Sequence, residues 1–149
     1  MDSGMRSLKK FLFVSGVMFL LLTGCSNFLP TEEEILFYLS LINMTEPEVT
    51  ELLGTPDSVE TDSGNLLAKD YKGYIIYTYS RPFGKTSDAQ ILVGVREGIT
   101  DLVRVTIPIE EQKEIDTQKL AARVENQKSV EMIMYSDDQS FMIEFVSAR

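Results

Sequence analysis

Ile91-Leu92-Val93-Gly94-Val95-Arg96-Glu97-Gly98-Ile99-Thr100-Asp101-Leu102-Val103-Arg104-Val105-Thr106-Ile107 is two strand-like runs around a Glu97-Gly98 turn. A two-residue, glycine-containing connection between apolar runs is a hairpin signal. Pro108 lacks an amide donor and marks the end of the second run. Strands joined this tightly are antiparallel, so the sheet is expected to be antiparallel throughout.

Further strands are expected on either side of this hairpin. Tyr71–Tyr79 is rich in aromatic and β-branched residues and is bounded by Arg81-Pro82-Phe83-Gly84. Val130–Tyr135 and Phe141–Val146 flank Asp137-Asp138-Gln139, a second hairpin. In the last run Phe141, Ile143 and Phe145 alternate with Met142, Glu144 and Val146, the period of a strand. Asp62-Ser63-Gly64-Asn65 reads as a loop or turn, as do Glu110-Glu111 and Asp137-Asp138.

Helices are expected before and after the meander. Thr31-Glu32-Glu33-Glu34 can open one, with Thr31 as cap, Glu34 reciprocal to it and three carboxylates at the positive end of the helix dipole. Ile35, Leu36, Leu39 and Ile42 follow at helical spacing. Thr45-Glu46-Pro47-Glu48 is a second capping box, with Val49, Leu52 and Leu53 as its buried stripe, Gly54 beyond its end and Pro56 as a stop. A third helix is expected from Asp116 to about Gln127. The fold class is therefore α+β: two short N-terminal helices packed on an antiparallel sheet, then one helix and a C-terminal hairpin.

The N-terminus carries a different signal. Arg6, Lys9 and Lys10 precede the apolar run Phe11–Leu22, which ends at Leu22-Thr23-Gly24-Cys25. Basic, apolar, then small residues is the order of a secretory signal peptide, with Met1 or Met5 as its start. Twelve apolar residues fall short of the roughly twenty that span a hydrocarbon core. The cysteine directly after Thr-Gly resembles the lipobox of bacterial lipoproteins. That resemblance implies cleavage after Gly24 and a diacylglyceryl group on Cys25. With no other cysteine in the chain, an internal disulfide is impossible. The expected organisation is a signal peptide over 1–24, a lipidated tether over 25–30 and one α+β domain over 31–149.

Charge and composition narrow the function. The chain has formal charge −9, and removing residues 1–24 takes three of the 14 basic residues and one of the 23 acidic ones, leaving −11. Such a surface repels nucleic acid and anionic headgroups, so membrane attachment is expected through the lipid and no nucleic-acid partner is expected. The chain has no histidine, which removes the commonest general base and metal ligand and the Ser-His-Asp and Cys-His nucleophile systems. Asp57, Asp62 and Asn65 lack the regular spacing of a calcium loop. Gly94 and Gly98 read as strand packing and a turn. No catalytic residue, cofactor or metal is expected. A continuous strand would put Tyr71, Tyr77 and Tyr79 on one face and Tyr74 on the other. With Arg81 and Phe83 just beyond, the first three form a candidate protein-binding face, against the plainer reading of half-buried rings on a sheet.

Met44-Thr45-Glu46-Pro47-Glu48-Val49-Thr50-Glu51-Leu52-Leu53-Gly54-Thr55-Pro56-Asp57 resembles the signature of the SmpA/OmlA, or BamE-like, lipoprotein domain, over roughly Glu33–Ile107. Asn43 stands where that family usually has glycine and can adopt the same left-handed turn. The resemblance implies a fold similar to one unit of the β-lactamase inhibitor protein. It implies a non-catalytic envelope lipoprotein, in a family whose best-known members are accessory subunits of outer-membrane β-barrel assembly. The alternative is a binder or inhibitor of a secreted enzyme or of a small envelope ligand. Ser26 after the modified cysteine implies the outer membrane, facing the periplasm, in a two-membrane cell. Otherwise the outer face of the plasma membrane is expected.

Overall fold

The computed structural model describes residues 31–61, 73–84, 87–127 and 129–148. The lipobox, the tether, Asp62–Asn65 and Tyr71 lie outside the described residues. Two helices come first, α1 (Thr31–Leu39) and α2 (Glu46–Leu53). The strands are β1 (Ser58–Thr61), β2 (Ile75–Phe83), β3 (Ser87–Arg96), β4 (Ile99–Pro108), β5 (Val130–Ser136) and β6 (Ser140–Ser147). Between β4 and β5 run a 3-10 helix (Ile109–Glu114) and α3 (Thr117–Glu125). All strand pairs are antiparallel and the sheet order is β1-β2-β3-β4-β6-β5. The fold is α+β, with a six-stranded antiparallel sheet.

Local chemistry explains most boundaries. Glu97 and Gly98 both take positive φ, 54° and 76°, the conformation that lets a two-residue turn match the strand twist. Asn43 takes φ 73° in the turn between α1 and α2, the left-handed conformation anticipated for it. The Glu48 carboxylate accepts from the Thr45 backbone amide at 2.7 Å and from its hydroxyl at 2.9 Å. Gly54 ends α2 at φ 77° and ψ −155°, a region essentially reserved for glycine. Asp116 caps α3 by accepting from Lys119 N at 3.0 Å.

Several expectations need correction. The helix α1 stops at Leu39, so Ile42 is buried from the following turn. The tyrosine-rich strand is shifted towards the C-terminus: Tyr74 precedes β2, and Arg81, Pro82 and Phe83 belong to it. Pro82 is tolerated near the end of the strand, where it forgoes one amide donor. Glu110 and Glu111 lie in the 3-10 helix. β1 was not anticipated, because its four residues are all exposed and give no apolar alternation.

The helices cover one face of the sheet. Ile35, Leu39, Val49, Leu53, Leu120 and Val124 pack against Ile91, Val93, Val103, Val105, Ile143 and Phe145 in one continuous core. The other face holds a smaller cluster, Tyr74, Ile76, Leu102 and Val146, to which the described helices contribute no residue.

Candidate functional site

Strand alternation sends Tyr77, Tyr79, Arg81 and Phe83 to the helix-covered face. Tyr79 is 1% exposed and Phe83 fully buried, and Tyr77 is nearly so. These rings are core, and the expected binding face of Tyr71, Tyr77, Tyr79, Arg81 and Phe83 is corrected accordingly: Tyr77, Tyr79 and Phe83 are buried in the fold and Arg81 is half-buried beside them. The reason is that α1 and α2 cover the face the rings occupy. Burial, with a hydrogen bond to Glu46 at the start of α2 adding to it, pushes the Tyr77 hydroxyl up to about 12 in all. Burial raises Tyr79 as well, opposed by the Arg81 charge. The Arg81 guanidinium lies 5.1 Å over the Tyr79 ring and donates to Ser80 O and to Leu53 O, a carbonyl in the last turn of α2. Asp57, weighed above as a calcium ligand, accepts from Ser80 N at 2.6 Å and so fastens the chain after α2 to β2.

The opposite face carries charge. A β-bulge shifts the β3–β4 register, so that Gly94 pairs with Leu102, Val95 pairs with Thr100, and Asp101 is the extra residue. Asp101 accepts from Tyr74 Oη at 2.5 Å and from Arg96 at 2.8 Å. The Arg96 guanidinium sits 5.0 Å over the Tyr74 ring. That ring rests on Gly94, where an added Cβ would lie 3.1 Å from Tyr74 Cδ1 and 3.3 Å from Leu102 Cβ. One strand further, Arg104 Nε donates to Glu144 Oε2 at 3.0 Å, and the two are direct cross-strand partners. Glu144 is fully buried. Sequence reasoning passed over these groups. The available signal was an arginine and a glutamate set among apolar residues on one alternation phase of two strands.

Carboxylates near α1 organise the helical layer. Glu32 Oε1 accepts from Asp116 N at 3.0 Å, Glu33 pairs with Arg123, and Glu34 Oε2 accepts from Gly84 N at 3.4 Å. The first turn of α1 is thus fastened to α3 and to the end of β2. Burial raises the Glu34 carboxyl above its ordinary value, whereas the amide of Asp116 lowers that of Glu32. Burial first, and then the Glu34 charge, together push the Tyr38 hydroxyl up to about 12. Glu111 accepts from Ser87 Oγ at 2.5 Å. Asp137 accepts from Gln139 N and Ser140 N and closes the β5–β6 turn. Each of these acidic residues thus has a local structural role. Among the described residues no three His, Cys, Asp or Glu side chains gather as a metal-ligand group.

A shallow depression of about 210 Å³ lies at the end of β5, lined by Gln112, Thr117, Met134, Tyr135, Ser136 and Phe141. Met134 and Tyr135 on its rim are among the exposed large apolar side chains of the described residues. No protein-family model, no curated protein and no solved structure matches this chain.

Proposed function

We propose that this protein is a lipid-anchored, non-catalytic lipoprotein of the bacterial cell envelope that acts as a protein-binding or scaffold module. Outer-membrane protein assembly and envelope integrity are the roles that the SmpA/OmlA-like signature suggests. The observation that carries the reading is Leu22-Thr23-Gly24-Cys25 behind a basic and then apolar leader. Two acyl chains on Cys25 would hold the domain stably at a bilayer, where one would not. No described helix is long and apolar enough to cross a membrane.

A short tether would keep the domain close to the membrane. In this reading residues 25–30 are the tether ahead of α1, with a reach of about 20 Å if fully extended. The helix that receives the tether is fastened to α3 by Glu32 and Glu33. An anchored domain of this kind meets membrane partners at raised effective concentration. Two helices ahead of an antiparallel meander also agree with the β-lactamase-inhibitor-like unit that the signature implies.

Mass spectrometry of the protein from a bacterial membrane fraction tests this reading. The expected N-terminal residue is Cys25 carrying a diacylglyceryl group, and Cys25→Ala is expected to leave the protein unprocessed. An unmodified thiol on protein recovered from the soluble fraction would overturn it.

A further inference from the structure

The two edges of the sheet are built differently. β1 is described over four residues, Ser58–Thr61, all of them exposed. β5 is seven residues, Val130-Glu131-Met132-Ile133-Met134-Tyr135-Ser136, with one charge and none of the proline, lysine or bulge devices that protect an edge. Its described partner is β6 alone, and Met134 and Tyr135 are 41% and 48% exposed.

The hydrogen-bond phase of that edge follows from two contacts. Ala148 N donates to Ser129 O at 2.9 Å, and Asp137 N donates to Ser140 O at 3.0 Å. In an antiparallel ladder bonded and non-bonded pairs alternate, so odd-numbered residues of β5 turn their amides and carbonyls to β6. Val130, Met132, Met134 and Ser136 therefore aim theirs outward. The Val130 amide is already taken by Gln127 O at 3.1 Å. The edge thus keeps outward donors at Met132, Met134 and Ser136 and outward acceptors at all four positions, which makes it a strand-binding surface.

We propose that the occupant is β5 of a second copy, paired antiparallel about a two-fold axis through Ile133. The strand is complementary to itself in that register. Met132 faces the partner's Met134 and Met134 the partner's Met132, and each of these two pairs can exchange both backbone bonds. Val130 faces the partner's Ser136, whose amide can donate to Val130 O while the Val130 amide stays with Gln127. Glu131 faces the partner's Tyr135, which keeps the two carboxylates from standing opposite each other. Ile133 faces itself as a non-hydrogen-bonded pair, the closest kind. Met132 and Met134 extend the helix-covered apolar face across the junction, since Met132 already packs against the main core. The result is one twelve-stranded sheet. This pairing stands independently of the lipid anchor.

Cross-linking the full chain in detergent tests the pairing and its register. Ile133→Cys is expected to form a disulfide dimer under mild oxidation, because facing non-bonded residues sit at disulfide distance. Tyr135→Cys, which the register holds two pairs away from its own copy, and Glu60→Cys, on the other edge, are expected to give no more dimer than the parent chain with its Cys25. Met134→Pro removes an outward amide without touching the β6 ladder. It is expected to keep the unfolding midpoint close to the parent's and weaken self-association at least about tenfold. The proposal is overturned by a chain that sediments as a monomer at all concentrations, or by equal cross-linking at positions 60, 133 and 135. A Met134→Pro variant that is folded and still dimeric also overturns it, as does a monomer whose β5 takes up an added extended peptide instead.

Discussion

Glu144 and Phe145 are neighbours in β6 and are both fully buried, yet one faces Arg104 across the strand and the other fills the core under the helices. The helix-covered face is apolar and has the packing that two layers of secondary structure supply. The opposite face combines a small apolar cluster with a buried ion pair and the Tyr74–Asp101–Arg96 set. Burial of an ion pair is a weak source of stability, because desolvation offsets most of the attraction. It is a strong constraint on pairing, because a one-residue slip would strand both charges. The apolar face therefore supplies most of the stability, and the polar face fixes the register.

Removing one group from each face puts that division to its hardest test. Phe145→Ala leaves a cavity in the core and is expected to cost about 3–5 kcal/mol. Arg104→Ala takes the cross-strand guanidinium away from a buried carboxylate and is expected to cost about 3–5 kcal/mol as well. Urea unfolding of both variants measures the pair. An Arg104→Ala cost under about 1 kcal/mol, the range of an exposed pair, would show that the polar face does not hold the register.

A milder change sharpens the same contrast at the bulge. Gly94→Ala presses a methyl group against the Tyr74 ring and Leu102, and is expected to cost about 1–3 kcal/mol as an overpacked site. Thermal unfolding unchanged from the parent would mean that the ring is free to move aside. On the helix side of the same bulge the sign reverses. Thr100 shares a face with Val95, and its hydroxyl is buried with no hydrogen-bond partner. Thr100→Val keeps the shape, removes the unsatisfied hydroxyl and is expected to stabilise by about 1 kcal/mol.

The two faces were unequally legible in the sequence. The period of Phe141, Ile143 and Phe145 is a local property, as are the Glu97-Gly98 turn, the Thr45 box and the Asp116 cap, and each of these elements was read from neighbouring residues. Which side of a strand the helices cover is not local. The tyrosines of β2 were offered as a surface because their alternation shows that they share a face and not what lies on it. The Asp101 bulge was invisible for a related reason: it is a mismatch between two strands, and neither strand carries it alone. The charged pair on the second face needed the β4–β6 pairing, which brings together residues 40 positions apart.

The smallest effect separates two carboxylates in a single helical turn. Glu32 and Glu34 stand at the start of α1, and their environments shift them in opposite directions from an ordinary value of 4.5. For Glu34 burial dominates and the folded-state pKa is raised. The folded state then binds the proton more tightly, so its contribution is greatest below 4.5 and is lost as pH rises through the folded pKa. For Glu32 the Asp116 amide dominates and the folded-state pKa is lowered. Its contribution is present above 4.5 and is lost as pH falls through the folded pKa. Glu34→Gln is therefore expected to gain stability relative to the parent as pH rises from below 4.5, and Glu32→Gln to lose it over the window beneath 4.5. Glu32 is only partly buried, so solvent screening keeps its effect small. Unfolding midpoints across that pH range measure both differences. Two differences of the same sign would mean that the packing of α1 against α3 and the end of β2 does not set these two environments apart.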